Sequence, residues 1–525
     1  MGFGLRLSYL IYLLPTCSDD ESIFGLMTKH LLEGKEFPIY FYGAHYGGAL
    51  LCYLAAIPFS LFGPSMSLLK LTTYLFSIPT IIFVYLLARS LSDKRVAILS
   101  ALFMALPPFL INWTGQLAAG GYPETLFFGT LSLLLTHSLI FTERTPRQEI
   151  RSLALLGFLN GIGTWILFSM IPYTLTTWTF LAFKKMKTPL EKLLVIFLIF
   201  YAFGIFPLVI YNIRYPFATF TRLGARVTGI GTSEISGKGT GDLVSLAFST
   251  ALAMMENVPK AIFQVVRNTL EMMRIDSSLG RIAGVWNILL AFVLVFLFLT
   301  VAFSQRKNFL KNPLSLLSVF VIWMTLFLAL TGLTLPRYVS FMYPALAILL
   351  AWAILRFISR PWVWISLVAL FLSANLINHF VVLRTPPTED RWRELIQFLE
   401  RKGLRYGYTD SLTAYQIVFL TDEKTILSPV AGPKNTDRYP AYTRAVDQAK
   451  EVFFIFEKDS EASERFEASL AARRVSFKKE TVKRKAVYYD FSSRIFPGEL
   501  PLIRLFRPGE PWIFGTANPL NEGKR

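Results

Sequence analysis

Apolar residues run along this chain in long blocks separated by short polar connections. The blocks lie at Leu7 to Leu14, Leu68 to Leu91, Val96 to Trp113, Tyr122 to Phe141, Leu153 to Leu167, Ile171 to Phe183, Leu193 to Ile213, Ile282 to Phe303, Leu314 to Gly332, Tyr338 to Ile358 and Val363 to Leu383. About 20 apolar residues in a helix cross a hydrocarbon core of ~30 Å. The pattern therefore predicts an α-helical polytopic membrane protein with about 11 transmembrane helices over residues 1–383. The first block is short, so it either tilts into thinned bilayer or continues from a start further upstream. Arg6, this block and Cys17 also resemble a lipoprotein signal, which Pro15 and Thr16 fit poorly.

Beyond residue 383 the pattern changes. RWRELIQFLERKG has helical apolar spacing, LRYGYTD reads as a strand, SLTAYQIVFLTDE as a helix and KTILSPV as a strand. RYPAYTRAVDQAK, EVFFIFEKD, SERFEASLAARRV and the hairpin-like SFKKETVKRKAVYYDF continue the alternation, which predicts a soluble α/β domain over 384–525. It lacks a Gly-rich phosphate fingerprint, so nucleotide binding is not supported.

Basic residues orient the chain. Arg89, Lys94 and Arg95, then Arg144, Arg147 and Arg151, then Lys184, Lys185, Lys187 and Lys192, then Arg306, Lys307 and Lys311, then Arg356 and Arg360 fall on alternate connections. The bias of Lys and Arg towards the inside then predicts a cytoplasmic N-terminus in an inner or plasma membrane. The C-terminal domain and the large loops 16–67 and 214–281 fall outside.

Composition agrees with two solvents. Of 525 residues 53% are hydrophobic, 15% aromatic and only 17% charged, with a mean hydropathy of +0.47. The charged fraction rises from about a tenth before residue 384 to about a third after it. The net charge of +18 is explained by inside loops facing anionic lipid, and no motif favours nucleic acid. Cys17 and Cys52 are the only cysteines, which excludes a disulfide framework and leaves a single external disulfide as the alternative to two thiols.

Asp19, Asp20 and Glu21 form the strongest chemical signal, three adjacent carboxylates just after the first block. Like charges at a membrane edge must be solvated, paired or used. The plain reading is a helix start, with Ser18 as cap and the acids complementing the helix dipole. SIFGLMTKHLLEG beyond them has apolar residues at helical spacing with Lys29 and His30 on a polar face, as in a helix lying in the interface. FPIYFYGAHYGGALLCYLAAIPFSLFGPS follows; its Tyr and Gly content, Tyr42 included, suits an aromatic-lined approach to a ligand, with His45 either structural or a phosphate or hydroxyl contact. Tyr122 and Glu124 open a membrane run after a Gly-Gly turn, the carboxylate being a first-turn dipole partner or a second pocket acid. Arg337 and Tyr338 open another run at the outer face, where a bound anion or snorkelling to lipid phosphate explains an arginine. Asn212, Arg214 and Arg222 are weaker candidates of the same kind.

In order along the chain, SDDESIFGLMTKHLLEGK, YFYGAHYGGAL, LFGPS, LLARSLSDKRVAILSALFMALPPFLI, GGYPETLFFG and PRYVSFMYPALAILL resemble the GT-C integral-membrane glycosyltransferases. The nearest resemblance is to bacterial members of the dolichyl-phosphate-mannose-protein mannosyltransferase and aminoarabinose transferase superfamily. It covers roughly Gly4 to Leu383, and GYTDSLTAYQIVFLTDE looks like the periplasmic domain of some members. The resemblance implies a sugar donor on polyprenyl phosphate and inverting transfer to an acceptor hydroxyl outside the membrane. It places the acidic pair on Asp20 and Glu21, with Asp19 adjacent, one carboxylate acting as base. A second acid falls on Glu124, the late arginine on Arg337, and His45 lies near a phosphate-contacting basic residue. Tyr42, Tyr122 and Tyr338 join the substrate-binding candidates. No metal or other cofactor is expected, because the acidic pair has no further ligands at metal spacing. The expected partners are the bilayer, the lipid-linked sugar and a glycolipid, polysaccharide or protein acceptor. A lipid-linked-sugar flippase is the rival reading, against which stand the absence of internal repeats and the clustering of ionisable groups outside. A membrane scaffold displaying the tail leaves the acidic loop unexplained.

Overall fold

The computed structural model describes residues 17–184, 186–216, 218–219, 258–269, 309–384, 390–431 and 437–497, with isolated positions before 17. The block at Ile282 to Phe303, most of the first block, Arg222 and most of loop 214–281 lie outside the described residues.

Five described helices are long and apolar enough to cross a membrane: Met66–Leu91, Tyr122–Phe141, Leu190–Arg214, Pro336–Phe357 and Pro361–Phe380. Around them the helices, in chain order, are α1 (Asp19–Leu32), α2 (Leu50–Phe62), α3 (Met66–Thr72), α4 (Tyr74–Leu91), α5 (Lys94–Ala105), α6 (Phe109–Thr114), α7 (Tyr122–Phe141), α8 (Pro146–Ile166), α9 (Ile171–Phe183), α10 (Leu190–Arg214), α11 (Ser315–Thr331), α12 (Pro336–Val339), α13 (Tyr343–Phe357) and α14 (Pro361–Arg384). Two expectations change. The block at Val96 to Trp113 is two helices, because Pro107 and Pro108 offer no N–H to the preceding turn. Its freed carbonyls are taken by side chains: Tyr343 donates to Phe103 at 3.0 Å and Asn375 to Leu106 at 3.0 Å, while His379 Nε2 lies 3.0 Å from the Pro107 oxygen. Such replacement is required where no water reaches the backbone. The second change is α2, a helix in what the sequence presents as an external loop; it buries Leu51, Cys52, Ala55 and Phe59 and exposes Tyr53, Ile57, Leu61 and Phe62.

α8 and α10 pack backbone to backbone. A Cβ at Gly157 or Gly161 would collide with the carbonyl oxygens of Phe197 or Tyr201, and one at Gly204 with that of Phe158. Small residues at this spacing let membrane helices approach closely. One end of the bundle gathers the basic connections: Arg144 donates to Ser152 at 2.7 Å, Lys184 reaches the Ile140 carbonyl, and Glu149 accepts from the N–H groups of Lys187 and Thr188. The starts of α7 and α12 lie at the other end.

The C-terminal segment follows its sequence pattern element by element. α15 (Asp390–Lys402), β1 (Tyr406–Asp410), α16 (Ser411–Leu420), β2 (Ile426–Ala431), α17 (Pro440–Gln448), β3 (Phe453–Glu457), α18 (Glu461–Ala472), β4 (Lys478–Val482) and β5 (Lys485–Tyr489) build one sheet of order β2-β1-β3-β5-β4. β1 runs parallel to β2 and β3, and the β4–β5 hairpin adds antiparallel to β3. The core of this domain extends into the first loop: Ile23, Phe24, Leu26 and Met27 of α1 share one apolar cluster with Tyr415, Ile417 and Val418 of α16. Thus α1 is not an interfacial helix with a solvated polar face. Lys29 instead pairs with Asp422 at 2.6 Å and Glu423 at 2.8 Å, and His30 is fully buried.

Candidate active site

The three carboxylates sit in the first turn of α1, where successive side chains point about 100° apart. They therefore cannot share one task. Ser18 caps the helix as the sequence suggests: its Oγ accepts from the Glu21 N–H at 3.3 Å, and Glu21 Oε2 accepts from the Ser18 N–H at 3.2 Å. Glu21 turns inward, 4% exposed, accepting from the Ala118 N–H at 3.3 Å with Lys70 Nζ 3.6 Å away. Asp19 is half-buried, and Asp20 opens to solvent.

Asp20 makes no hydrogen bond or ion pair among the described residues. Protein packed around its carboxyl, and then the neighbouring Asp19, hold its proton affinity above the usual carboxylate range, against the opposing pull of Arg438 and Arg337. An accessible carboxylate lacking a fixed partner, and somewhat more basic than usual, is suited to accept a proton.

Tyr122, Arg337 and Tyr338 cluster within reach of the Asp20 charge. The Tyr122 and Tyr338 rings lie 6.0 Å apart, the Arg337 guanidinium is 5.4 Å from the Tyr338 ring centre, and the Asp20 charge acts on both Arg337 and Tyr122. Tyr122 is brought there by Gly120 and Gly121, both at φ +72°. A Cβ at Gly121 would strike Ile166, so the turn needs glycine for space and for backbone. Among the described residues Arg337 Nε is buried without a hydrogen-bond partner. A buried guanidinium N–H lacking a partner is costly unless something anionic completes it.

The remaining candidates lie elsewhere. Glu124 is 2% exposed with Oε2 unpartnered among the described residues, and its charge acts on Cys52 of α2. His45 Nδ1 lies 2.7 Å from the Tyr211 hydroxyl on α10. Tyr42 stacks on Tyr439 at 5.0 Å and its hydroxyl lies 3.0 Å from His30 Nδ1, in the seam with the C-terminal domain. Asn212 bonds Thr219, and the Arg214 guanidinium lies over Tyr215. Both cysteines are free thiols: Cys17 lies 2.7 Å from the Ser22 hydroxyl and Cys52 faces the Phe24 carbonyl. Among the described residues no three His, Cys, Asp or Glu side chains are grouped to hold a metal.

Two site residues escape the sequence reading. Lys70 falls within the block at Leu68 to Leu91, where a lysine in apolar sequence is itself a signal of a partner, here Glu21. Arg438 lies in the C-terminal domain more than 400 residues from Asp20, and no local pattern marks it.

Residues 48–211 match the family model of the dolichyl-phosphate-mannose-protein mannosyltransferases. Among solved structures, ArnT from Cupriavidus metallidurans bound to undecaprenyl phosphate superposes with a TM-score of 0.61 at 11% identity, covering 93% of this chain and 97% of that one. The chain is similar to that family over residues 48–211 and shares the fold of this ArnT. The apo form of the same ArnT gives a TM-score of 0.56 at 12% identity, over 90% of this chain and 93% of that one. The Archaeoglobus fulgidus oligosaccharyltransferase in complex with Zn and sulfate gives 0.52 at 14% identity, over 92% of this chain and 72% of the other. No curated protein matches the sequence.

Proposed function

We propose that this protein is a GT-C glycosyltransferase that transfers a sugar from a polyprenyl-phosphate donor to an acceptor hydroxyl at the outer face of the membrane, with inversion at the anomeric carbon. The observation that carries the reading is Asp20, an accessible carboxylate without a fixed partner that faces Arg337, Tyr122 and Tyr338 at the end of the bundle opposite the basic connections. The family match supports the lipid-phosphate donor.

In this mechanism the acceptor oxygen attacks the anomeric carbon, the bond from that carbon to the phosphate oxygen breaks, and the acceptor proton passes to Asp20. The leaving phosphate keeps the electron pair, and Arg337 balances the charge that develops on it. Asp20 also favours the cationic character that the anomeric carbon gains as the bond stretches. Glu21 is a positioning residue: its bonds to Lys70, Ala118 and the cap fix the first turn of α1 and hence the direction of Asp20. Tyr122 and Tyr338 line the approach. Glu124 is buried away from Asp20 and takes no step of the transfer, and His45, Tyr42 and Asp19 shape the surrounding loop. No metal is required.

Donor consumption by purified protein in nanodiscs, offered a panel of polyprenyl-phosphate sugars, tests this reading. Asp20→Asn is expected to lower turnover about 10²- to 10⁴-fold, the usual range for a general base. A folded Asp20→Asn protein with wild-type turnover refutes the assignment. Lipid-linked-sugar translocation without donor consumption refutes the transferase.

A further inference from the structure

Arg438 belongs to a different part of the chain from every other group around Asp20, and the fold holds it there by built contacts. Asp437, 5% exposed, accepts from Thr443 Oγ1 at 2.7 Å and from the Tyr439 N–H at 3.1 Å; the Tyr415 hydroxyl accepts from the Arg438 N–H. The backbone on both sides of Arg438 is therefore pinned to the domain core. Its guanidinium lies 4.9 Å from the centre of the Phe41 ring, and Nη1 donates to the Gly43 carbonyl at 3.5 Å. Phe41 in turn stacks on Phe24 at 5.1 Å, and Phe24 stands one helical turn after Asp20 on the same face of α1. Gly43 is required at the crossing: it has φ +61°, and a Cβ there would lie 2.9 Å from the Arg438 Cα.

The charges of two guanidiniums thus act on Asp20, Arg337 from α12 and Arg438 from the C-terminal domain. Their charge has a use. Asp19 and Asp20 together repel any phosphate brought beside them, and one guanidinium does not offset both. The Nε of Arg337, buried without a hydrogen-bond partner among the described residues, is a donor that an anion would satisfy.

We propose that the C-terminal domain completes the site, Arg438 and Arg337 together forming a cradle for the phosphate of a lipid ligand beside Asp20. The lipid nature of that ligand rests on the glycosyltransferase reading; the phosphate chemistry rests on the two guanidiniums. The domain is then part of the binding machinery and not only a platform for the acceptor.

The test is equilibrium binding to the full chain in nanodiscs, titrated separately with undecaprenyl phosphate, undecaprenol and inorganic phosphate. Arg438→Gln is expected to weaken undecaprenyl phosphate about ten- to a hundredfold while leaving undecaprenol unchanged, the range for losing a charge-assisted bond. Arg438→Lys keeps the charge without the fork and is expected to fall between. Arg401→Gln, on an exposed turn of α15, is the control. Undecaprenyl phosphate binding unchanged in Arg438→Gln overturns the proposal. So does an equal loss of undecaprenol and undecaprenyl phosphate in both Arg438 variants, which makes the residue a packing element on Phe41. Inorganic phosphate binding as tightly as the lipid overturns the lipid assignment. Because binding is read without turnover, a chain that transfers no sugar can still show the Arg438 effect, which separates failure here from failure of the enzymatic reading.

Discussion

If Arg438 acts only when the C-terminal domain is docked, the clamp that docks it becomes a point of attack. Glu423 is the centre of that clamp. Its side chain is 14% exposed; it accepts from Lys29 at 2.8 Å and from the Tyr442 hydroxyl at 2.9 Å, and lies 3.2 Å from His30 Nε2. Glu423→Ala removes these three contacts, while Lys29 keeps Asp422 at 2.6 Å and the fully buried His30 keeps the Tyr42 and Tyr442 hydroxyls at 3.0 and 3.2 Å. Breaking a buried pair by removing one partner costs about 3–5 kcal/mol. Lys29 retains an anion and Glu423 is not wholly buried, so the lower end applies, about 3 kcal/mol. That is roughly a hundredfold in the docking equilibrium. Hydrogen exchange on the full chain reads it: amides of residues 19–33 and 411–423 are expected to lose about a hundredfold of protection, while α8 and α10 are unchanged. Glu423→Gln keeps the shape and loses less. The pH dependence has a definite sign. Burial alone raises the Glu423 carboxyl, but hydrogen bonds from His30 and Lys29 hold it well below the usual range. A depressed carboxylate contributes in full above its unfolded value near ~4.3 and its contribution is lost as the pH falls towards the folded value. Wild-type protection should therefore decline below about pH 4, and Glu423→Ala should not share that decline. Protection in Glu423→Ala within threefold of wild type refutes the clamp.

Other perturbations separate the remaining roles. The rate should fall on the acid side as Asp20 becomes protonated, and Arg438→Gln, by removing a cation that lowers it, should move that limb to higher pH; a limb that stays in place contradicts their electrostatic contact. Gly43→Ala puts a side chain at φ +61° against Arg438, so it should cost about 1 kcal/mol or more of stability and weaken undecaprenyl phosphate binding, both measurable by thermal melting with and without the lipid. Glu21→Ala leaves the buried Lys70 without its carboxylate and should reduce expression and melting temperature as well as turnover, whereas a stable protein with lost turnover alone would give Glu21 a direct chemical role. Turnover is expected to survive EDTA; loss restored by a divalent ion would place a metal in the mechanism.

The architecture was largely legible in the sequence because its two signals are strong and local. Apolar blocks at Tyr122 to Phe141 and Ile171 to Phe183 coincide with helices, and the tail's alternation of periods 3.6 and 2 appears as α15 to β5. Where local reading fell short, a neighbour decided. The Pro107-Pro108 pair reads as continuous apolar sequence until Tyr343, Asn375 and His379 supply what the proline nitrogens cannot. The amphipathic stretch of α1 reads as a membrane-surface helix because Lys29 and His30 are polar, yet Asp422 and Glu423, nearly 400 residues later, occupy that face.

For the site, the sequence by itself determined which chemistry is present: adjacent carboxylates at a helix start, a late Arg-Tyr pair, and a Gly-Gly turn before Tyr122. Residue type and helix position are properties of short stretches, so a linear reading recovers them. Only the tertiary structure decided how the carboxylates divide, with Glu21 turned to Lys70 and Asp20 to two arginines, and that Glu124, His45 and Tyr42 stand apart from them. It alone brought Arg438 to α1. Helix rotation sets where each of three consecutive side chains points, and domain packing sets which distant charge meets it; neither is a function of neighbours along the chain.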